Sequence, residues 1–519
     1  MNFIDKEPVM PLTADDVKQQ PRSKRWWALA ILMLPVLLVT VDNTVLGFAL
    51  PKIAEALHPS ASQQLWMIDA YSLVLAGLLI TMGSLGDRKG HRKLLLIGSL
   101  GFTVVSVMTA YSSTAAQLIA GRACMGIFGA MLMPSTLALI RSLFNDREER
   151  RLAVAIWATT LTVGSALGPL VGGLLLEFFR WGSIFLLAIP VLVPLLILGP
   201  LLLPESEPDA SGPIDVLSTV QSMVALSALV YSIKHIASDG PDALALAAFC
   251  IAIVVGWKFV HRQLNLPTPL MDLSLFRNKT FSGSVTINLM SLAFLIGFVF
   301  FSTQLLQIVL RMSPLSASLV LIPGQIMAIV VGILIVPVAQ RVSVNVLIPV
   351  LLAFTAGAFF MVASFGSSLT VLVLAFALLN IGVGAIATVS NDVILSAAPP
   401  NKAGAASAIS ETAYEVGVVL GTTLLGGIVT AYYRGTLQLP DFLTSLQTQL
   451  AGETLAGAYA VSATLSEDQA DELMRSATRA FEGGTSLMAW ATFSLAVLAI
   501  FVASRTLKTP QTACAHSKG

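Results

Sequence analysis

Four acidic side chains lie inside long apolar stretches of the sequence, namely Asp42, Asp69, Glu411 and Glu415. A charge at the centre of a membrane-spanning helix costs roughly 2.5 to 3.5 kcal/mol on insertion scales, so such residues usually face protein or water and carry a function. Asp42 lies about 22 Å along a helix from the tryptophan pair that opens its stretch. For this residue, an interfacial position near Pro51 is the alternative interpretation.

The two glutamates are four residues apart, so they project from one face of a helix. Two carboxylates that share a low-dielectric cavity cannot both ionise easily, which suits proton uptake near neutral pH. When ionised they attract an organic cation, and protonation removes that attraction. Mutually exclusive occupancy by protons and by a cation is sufficient for an exchange mechanism.

One basic side chain, Arg122, is also placed within an apolar stretch. A guanidinium is always charged and needs an acidic or carbonyl partner inside a membrane. Asp42 on the first stretch is one candidate. A structural arginine held by backbone carbonyls is the alternative.

Three aromatic residues near the acids could contact a cationic guest through their ring faces: Trp66, Tyr71 and Tyr414. Packing or lipid contact is the commoner role of an aromatic side chain in such a stretch, and it stays open for each of the three.

The composition indicates a polytopic membrane protein. Of 519 residues, 55% are hydrophobic and only 11% charged, whereas a soluble domain carries about a quarter charged residues. The net charge of +1 and the lack of a dense basic run argue against nucleic acid as a partner. The sequence has no P-loop, metal-ligand cluster or nucleophile motif, so we expect no cofactor, no ATP-driven pump and no enzyme.

About fourteen apolar runs are long enough to span a bilayer, which predicts an all-α fold with both termini on one side. With the N-terminus inside, 22 of the 30 Lys and Arg residues fall in cytoplasmic segments or helix ends. This bias predicts cytoplasmic termini. The seven basic residues assigned to the outer side are Lys52, Arg180, Lys234, Arg311, Arg434, Arg475 and Arg479.

A faint internal repeat suggests two six-helix bundles separated by a two-helix insert. Helix starts recur at an offset of about 250 residues, and the pair Gly164 and Gly168 recurs as Gly417 and Gly421. Chance spacing of similar helices is the alternative. The predicted segments are a cytoplasmic tail 1–26, a bundle 27–203, a linker 204–214, an insert 215–263, a linker 264–280, a second bundle 281–505 with an external hairpin loop 434–483, and a tail 506–519.

The turn after the second run reads Gly83-Ser84-Leu85-Gly86-Asp87-Arg88-Lys89-Gly90-His91-Arg92-Lys93. Its glycines Gly83 and Gly90 allow a tight turn and close helix approach. Asp87, followed by Arg88, can pair with a neighbouring helix N-terminus or arginine and hold one state closed. We interpret the segment as a gating loop, and an ordinary positive-inside loop is the alternative.

The fifth run contains Gly164, Gly168, Pro169, Gly172 and Gly173 in the pattern g-x-x-x-G-P-x-x-G-G. Small residues permit close helix packing, and the proline removes one backbone hydrogen bond and bends the helix.

Both patterns resemble motifs of the major facilitator superfamily: the loop between helices 2 and 3, and the helix 5 motif that separates antiporters from other members. Leu118-x-x-x-Arg122-x-x-Met125-Gly126 resembles a third motif, with Met125 in place of the usual glutamine. With the first stretch, VDNTVLGFALP, they make the chain resemble the fourteen-helix drug:proton antiporters, in particular the QacA- and SmvA-like multidrug exporters.

This resemblance implies two six-helix bundles plus two extra helices, and export of lipophilic mono- and dicationic compounds, such as quaternary ammonium biocides and dyes, in exchange for protons. It assigns proton coupling to Arg122 and carries Asp42, Asp69, Glu411 and Glu415 onto acidic positions of the group. A further acid in helix 10 is absent here, where the sequence reads Leu321–Ala328.

We therefore expect a proton-coupled multidrug antiporter in a bacterial inner membrane, a monomer in the lipid bilayer. An exporter of one endogenous metabolite or amino acid remains a second possibility. A membrane sensor that binds without translocating is a third, from another class.

Overall fold

A computed structural model of the chain describes residues 21–144, 146–205, 215–266, 269–366, 368–398 and 403–507. Within these ranges, fourteen helices are long and apolar enough to cross a membrane, which confirms the predicted all-α polytopic fold. The predicted tails and the linker before the insert fall mainly in 1–20, 206–214 and 508–519, outside the described residues.

The membrane-spanning helices are numbered with the two short helices that precede the last span. They are α1 (Arg22–Leu57), α2 (Ala61–Lys89), α3 (His91–Ala110), α4 (Ala115–Leu143), α5 (Arg147–Phe178), α6 (Ser183–Leu202), α7 (Val216–Asp239), α8 (Ala243–Asn265), α9 (Lys279–Val309), α10 (Pro314–Ala339), α11 (Val344–Phe365), α12 (Leu369–Ala397), α13 (Ala403–Leu420, continued through Gly421–Gly426 and Gly427–Thr436), α14 (Ser445–Glu453), α15 (Leu455–Ser462) and α16 (Glu467–Thr506).

The first half of the chain, α1–α6, and the second half, α9–α13 with α16, repeat the same helix pairings. In each half the first helix packs along the fifth: α1 on α5, and α9 on α13. Glycines make both contacts close. A Cβ atom on Gly168 would lie 3.1 Å from the Val41 carbonyl oxygen, and one on Gly421 would lie 2.5 Å from the Ala293 carbonyl oxygen. The repeated glycine pair therefore marks equivalent helix crossings.

Two seams join the halves, one between α5 and α10 and the other between α2 and α13. At the first seam, Gly173 lies against α10, where an added Cβ atom would be 2.9 Å from the Pro314 carbonyl oxygen and would collide with the Ser318 hydroxyl. The last glycine of the predicted antiporter pattern thus serves the contact between halves.

The inserted helices α7 and α8 pack against each other, and α7 also packs on α2 and α13. The residue that caps the start of each helix is an aspartate bound by the other helix: Asp215 by Arg262 at 2.9 Å, and Asp242 by His235 at 3.0 Å. Burial acts to raise the pKa of Asp215, but hydrogen bonds from Arg262 and Ser218 outweigh it and hold that pKa below its usual value. The backbone hydrogen bond from Ala245, supported by His235, lowers the pKa of Asp242. Charge-assisted hydrogen bonds therefore join α7 and α8 at both ends of this helix pair.

The segment predicted as an external hairpin loop, 434–483, divides differently in the structure. Only α14 and α15 form short helices of their own, whereas α16 begins at Glu467 and continues unbroken into the last span. The charged residues at the start of α16 gave this part a hydrophilic sequence although it extends a membrane helix. We call the side of the bundle on which α14 and α15 lie the hairpin face, and the side on which α1 begins and α16 ends the terminal face.

Candidate functional site

The first acid, Asp42, forms an ion pair with Arg122, so the partner considered from the sequence is present. Both side chains are almost fully buried. The guanidinium also donates from Nε to the Met67 carbonyl at 3.2 Å, and its Cζ atom lies 4.5 Å from the centre of the Tyr71 ring. Arg122 thus links α1, α2 and α4 around one buried charge pair.

The second acid, Asp69, also has a cation of its own, which sequence reasoning missed. The Lys234 Nζ atom on α7 lies 2.8 Å from Asp69 Oδ2, and both side chains are fully buried. The Thr423 hydroxyl on α13 donates to the same oxygen at 2.8 Å. The assignment of Lys234 to the outer side of the membrane remains a prediction, but the structure shows its side chain buried in an ion pair. Lys234 lies five residues before the end of α7, where a lysine side chain commonly extends to the membrane interface. Its position in the sequence therefore does not indicate that the side chain turns toward the protein interior.

The third acid, Glu415, lies where α13 meets α1 and α2. Asn43 Nδ2 donates to Glu415 Oε1 at 3.2 Å, and the Ser72 hydroxyl donates to Asn43 Oδ1 at 3.3 Å. Glu415 Oε2 is buried and accepts no hydrogen bond from the residues that the structure describes. Asn43, the neighbour of Asp42 in sequence, is a second site residue that the sequence analysis did not single out.

The fourth acid, Glu411, lies one turn away on the same helix and is only half-buried. Arg141 at the end of α4 acts on it electrostatically, but the two do not form an ion pair. Tyr414 lies between the glutamates in sequence, with its hydroxyl near Ser165 of α5. The pair predicted to share one helix face thus faces the first half of the chain.

Two of the aromatic rings proposed as cation contacts lie against cations of the protein. The Lys234 ammonium is 4.1 Å from the centre of the Trp66 ring, and Arg122 lies over Tyr71. Tyr71 is fully buried. In this conformation, therefore, Tyr414 is the candidate ring with no basic side chain stacked on it among the described residues.

These contacts divide the four acids into two classes. Asp42 and Asp69 each have a buried basic partner, whereas neither Glu411 nor Glu415 forms an ion pair within the described part of the chain. An unpaired carboxylate in the protein interior is disfavoured unless it takes up a proton or a cation, more strongly for the buried Glu415 than for the half-buried Glu411. The two glutamates are therefore the groups whose charge is left for a mobile ion to neutralise.

The predicted gating loop is a single-residue turn between α2 and α3. Gly90 has φ +94°, a conformation that favours glycine, and Gly83 lies against Pro134 of α4. Asp87 Oδ1 is 2.9 Å from Nε2 of His91, the first residue of α3. Asp87 thus contacts a histidine at the N-terminus of the next helix. Arg88 lies in the last turn of α2 and is half-buried.

The model of the Major Facilitator Superfamily matches residues 32–422 of the sequence, which is most of the chain. The chain belongs to the major facilitator superfamily. This confirms the family inferred from the loop and helix 5 patterns, and it identifies the chain as a multi-pass membrane transporter.

Two curated relatives match over nearly their full lengths. The multidrug efflux pump LfrA of Mycolicibacterium smegmatis is 51% identical over 89% of this chain and 92% of the relative. The methyl viologen resistance protein SmvA of Salmonella typhimurium is 32% identical over 88% of this chain and 93% of the relative.

A solved structure has a similar fold. A bacterial homologue of the human lysosomal transporter Spinster, crystallised in an inward-facing and unoccupied conformation, superposes with a TM-score of 0.64 at 16% identity. The match covers 94% of this chain and 98% of that protein.

Proposed function

We propose that the protein is a multidrug efflux antiporter that exports lipophilic mono- and dicationic compounds in exchange for protons. The observation that carries this proposal is the pair Glu411 and Glu415, two carboxylates one helical turn apart with no ion-pair partner in the described chain. Each can be neutralised by a proton or by the positive charge of a guest. Because protons and the exported compound compete for the same carboxylates, their movements are coupled although they never contact each other.

The relatives supply the substrate class of the proposal. LfrA is named a multidrug efflux pump, and SmvA is named for resistance to methyl viologen, a planar aromatic dication. A guest of this kind needs negative charge and flat apolar contacts. Glu415 and Glu411 supply the charge, and Tyr414 supplies a ring beside them.

Orientation is part of the same proposal. Basic residues concentrate at the terminal face, where Arg22 and Arg25 pair with Glu149 at 2.8 and 3.1 Å, and Arg92 pairs with Glu205 at 3.1 Å. The positive-inside rule places this face in the cytoplasm of a bacterial cell, with the hairpin face outside. Export then carries the guest from the terminal face to the hairpin face.

Proton exchange is tested in proteoliposomes that contain a pH-sensitive dye and start with an acidic lumen. Addition of benzalkonium or methyl viologen should raise the lumenal pH when wild-type protein is present. Glu415→Gln should slow this response at least tenfold, because the substituted side chain can neither bind a proton nor attract a cation.

Glu472→Gln is the matched control, since Glu472 is an exposed acid on α16 outside the site. It should exchange at the wild-type rate. Undiminished exchange by the double variant Glu411→Gln/Glu415→Gln would contradict the proposal. A guest that binds to wild-type protein without moving protons would indicate a sensor instead.

A further inference from the structure

The inserted helix pair places a buried lysine at the seam between the two halves. Lys234 on α7 is 0% exposed, and its Nζ atom is 2.8 Å from Asp69 Oδ2 on α2. Removal of two opposite charges from water is costly, and an isolated buried ion costs several kcal/mol. A lysine retained there is bound to the acid beside it rather than extended toward solvent.

Three helices contribute contacts to this ion pair, and within the described residues none of them adds a competing charge there. From α2, the Trp66 ring covers the ammonium at 4.1 Å. From α13, the Thr423 hydroxyl donates to Asp69, and Thr422 lies beside it. From α7, the neighbouring His235 is directed to Asp242 at the helix end. Within the part of the chain that the structure describes, Asp69 and Lys234 are therefore each other's only charged neighbour there.

The contact also depends on an irregular piece of α13. Thr423 lies in Gly421–Gly426, where the helix widens into π-helical turns. Such turns are rare and are found frequently at functional sites. Asp69 of the first half thus receives one bond from the second half and one from the insert.

We propose that Lys234 is a built-in counter-cation that keeps Asp69 ionised, so that Asp69 binds neither a proton nor a guest while the lysine is present. This inference rests on the proposed function for its meaning in transport. Lys234 acts as a positioning residue: it limits the acids open to exchange to Glu411 and Glu415. The insert, which lies outside both six-helix bundles, thereby sets how many charges the site can exchange.

The test is infrared difference spectroscopy of purified protein at neutral pH, which requires no guest and no transport. In Lys234→Met, Asp69 has lost its cation and should bind a proton, so a new carboxylic acid C=O band should appear. The band should be absent from wild type, from Lys234→Arg and from the double variant Asp69→Asn/Lys234→Met. Lys258→Met, which removes an exposed lysine from α8, is the matched control and should also lack the band.

A thermal unfolding cycle keeps the proposal testable if a single variant folds poorly. Asp69→Asn and Lys234→Met should each lower the Tm, and the double variant should unfold at a higher temperature than either. A folded Lys234→Met without the new band, or a double variant no more stable than the weaker single variant, would overturn the role of Lys234. Neither measurement depends on proton-coupled export, whose failure would appear separately in the proteoliposome assay.

Discussion

The Arg122 side chain makes three different contacts with three helices. It pairs with Asp42, donates to the Met67 carbonyl and lies over the Tyr71 ring. A lysine at this position has a single ammonium and no planar fork, so it cannot reproduce the set. Arg122 thereby fixes the position of α4 relative to α1 and α2 next to the glutamate pair.

We predict that Arg122→Ala lowers the free energy of unfolding by about 3–5 kcal/mol, because it leaves Asp42 buried without a partner. Reversible unfolding in mixed micelles would measure the change. The double variant Asp42→Asn/Arg122→Ala should recover part of the loss, since it removes the unpaired charge. A loss below about 1 kcal/mol in the single variant would show that the ion pair does not stabilise the fold.

At the scale of single residues, the sequence identifies charges inside apolar runs, but it indicates the partner of only some of them. Asp42 and Arg122 are both deep in apolar runs, so their pairing could be anticipated. Lys234 lies near the end of its run, where the interface is the ordinary location for a lysine. Its contact with Asp69 depends on the packing of α7 against α2, and no local pattern encodes that packing.

Close helix crossings position these residues, and the glycines on α5 and α13 create them by different means. A Cβ atom on Gly164 would collide with the Thr40 hydroxyl of α1, whereas one on the equivalent Gly417 would lie 2.7 Å from the Leu289 carbonyl oxygen of α9. A side chain can be removed by mutation, but a backbone oxygen cannot. The two equivalent crossings should therefore differ in whether a second substitution on the facing helix can restore the lost stability.

We predict that Gly164→Ala and Gly417→Ala each destabilise the protein by about 1–3 kcal/mol through overpacking. Thr40→Ala should restore much of the stability lost in Gly164→Ala, because it removes the hydroxyl in the way. Thr40→Ala on the wild-type background is the control, and unfolding in detergent is the measurement. Equal stability of Gly164→Ala and wild type would mean that the crossing is looser than the structure shows.

The helices themselves are well predicted from sequence, because spans of about twenty apolar residues leave few alternatives in a bilayer. The exception is the start of α16. Residues from Glu467 onward are charged and amphipathic, so hydropathy assigns them to a loop, although they continue the last helix beyond the membrane. The sequence has helical periodicity in this part, but the pattern does not show whether the helix is interrupted before the membrane span.

At the scale of the whole molecule, hydrogen bonds close the hairpin face between the two halves. Glu453 at the end of α14 accepts from the Ala61 backbone at the start of α2 and pairs with Arg434 of α13 at 3.3 Å. Gln64 of α2 donates to Thr454 at 3.1 Å. The short helices thus fasten α2 to the second half at the exit predicted for export.

We predict that Glu453→Ala opens the hairpin face more often, because a hydrogen bond to a charged group contributes about 1.5–3 kcal/mol. Thr430 lines a small cavity beneath Glu453 and can serve as a reporter. In a background without native cysteines, Thr430→Cys should react with an impermeant maleimide roughly tenfold faster in the Glu453→Ala variant, which corresponds to about 1.4 kcal/mol. Glu472→Ala should not change the labelling rate, and an unchanged rate in Glu453→Ala would show that this contact does not hold the face closed.

The absence of ion-pair partners for Glu411 and Glu415 within the described chain has an electrical consequence. If both glutamates release and regain a proton once per cycle, export of a singly charged compound moves one net positive charge inward. A membrane potential of 100 mV would then add about 2.3 kcal/mol to the driving force. Export of a doubly charged compound would move no net charge, and the pH gradient alone would drive it. The same two side chains would make one class of guest voltage-sensitive and leave the other indifferent to voltage.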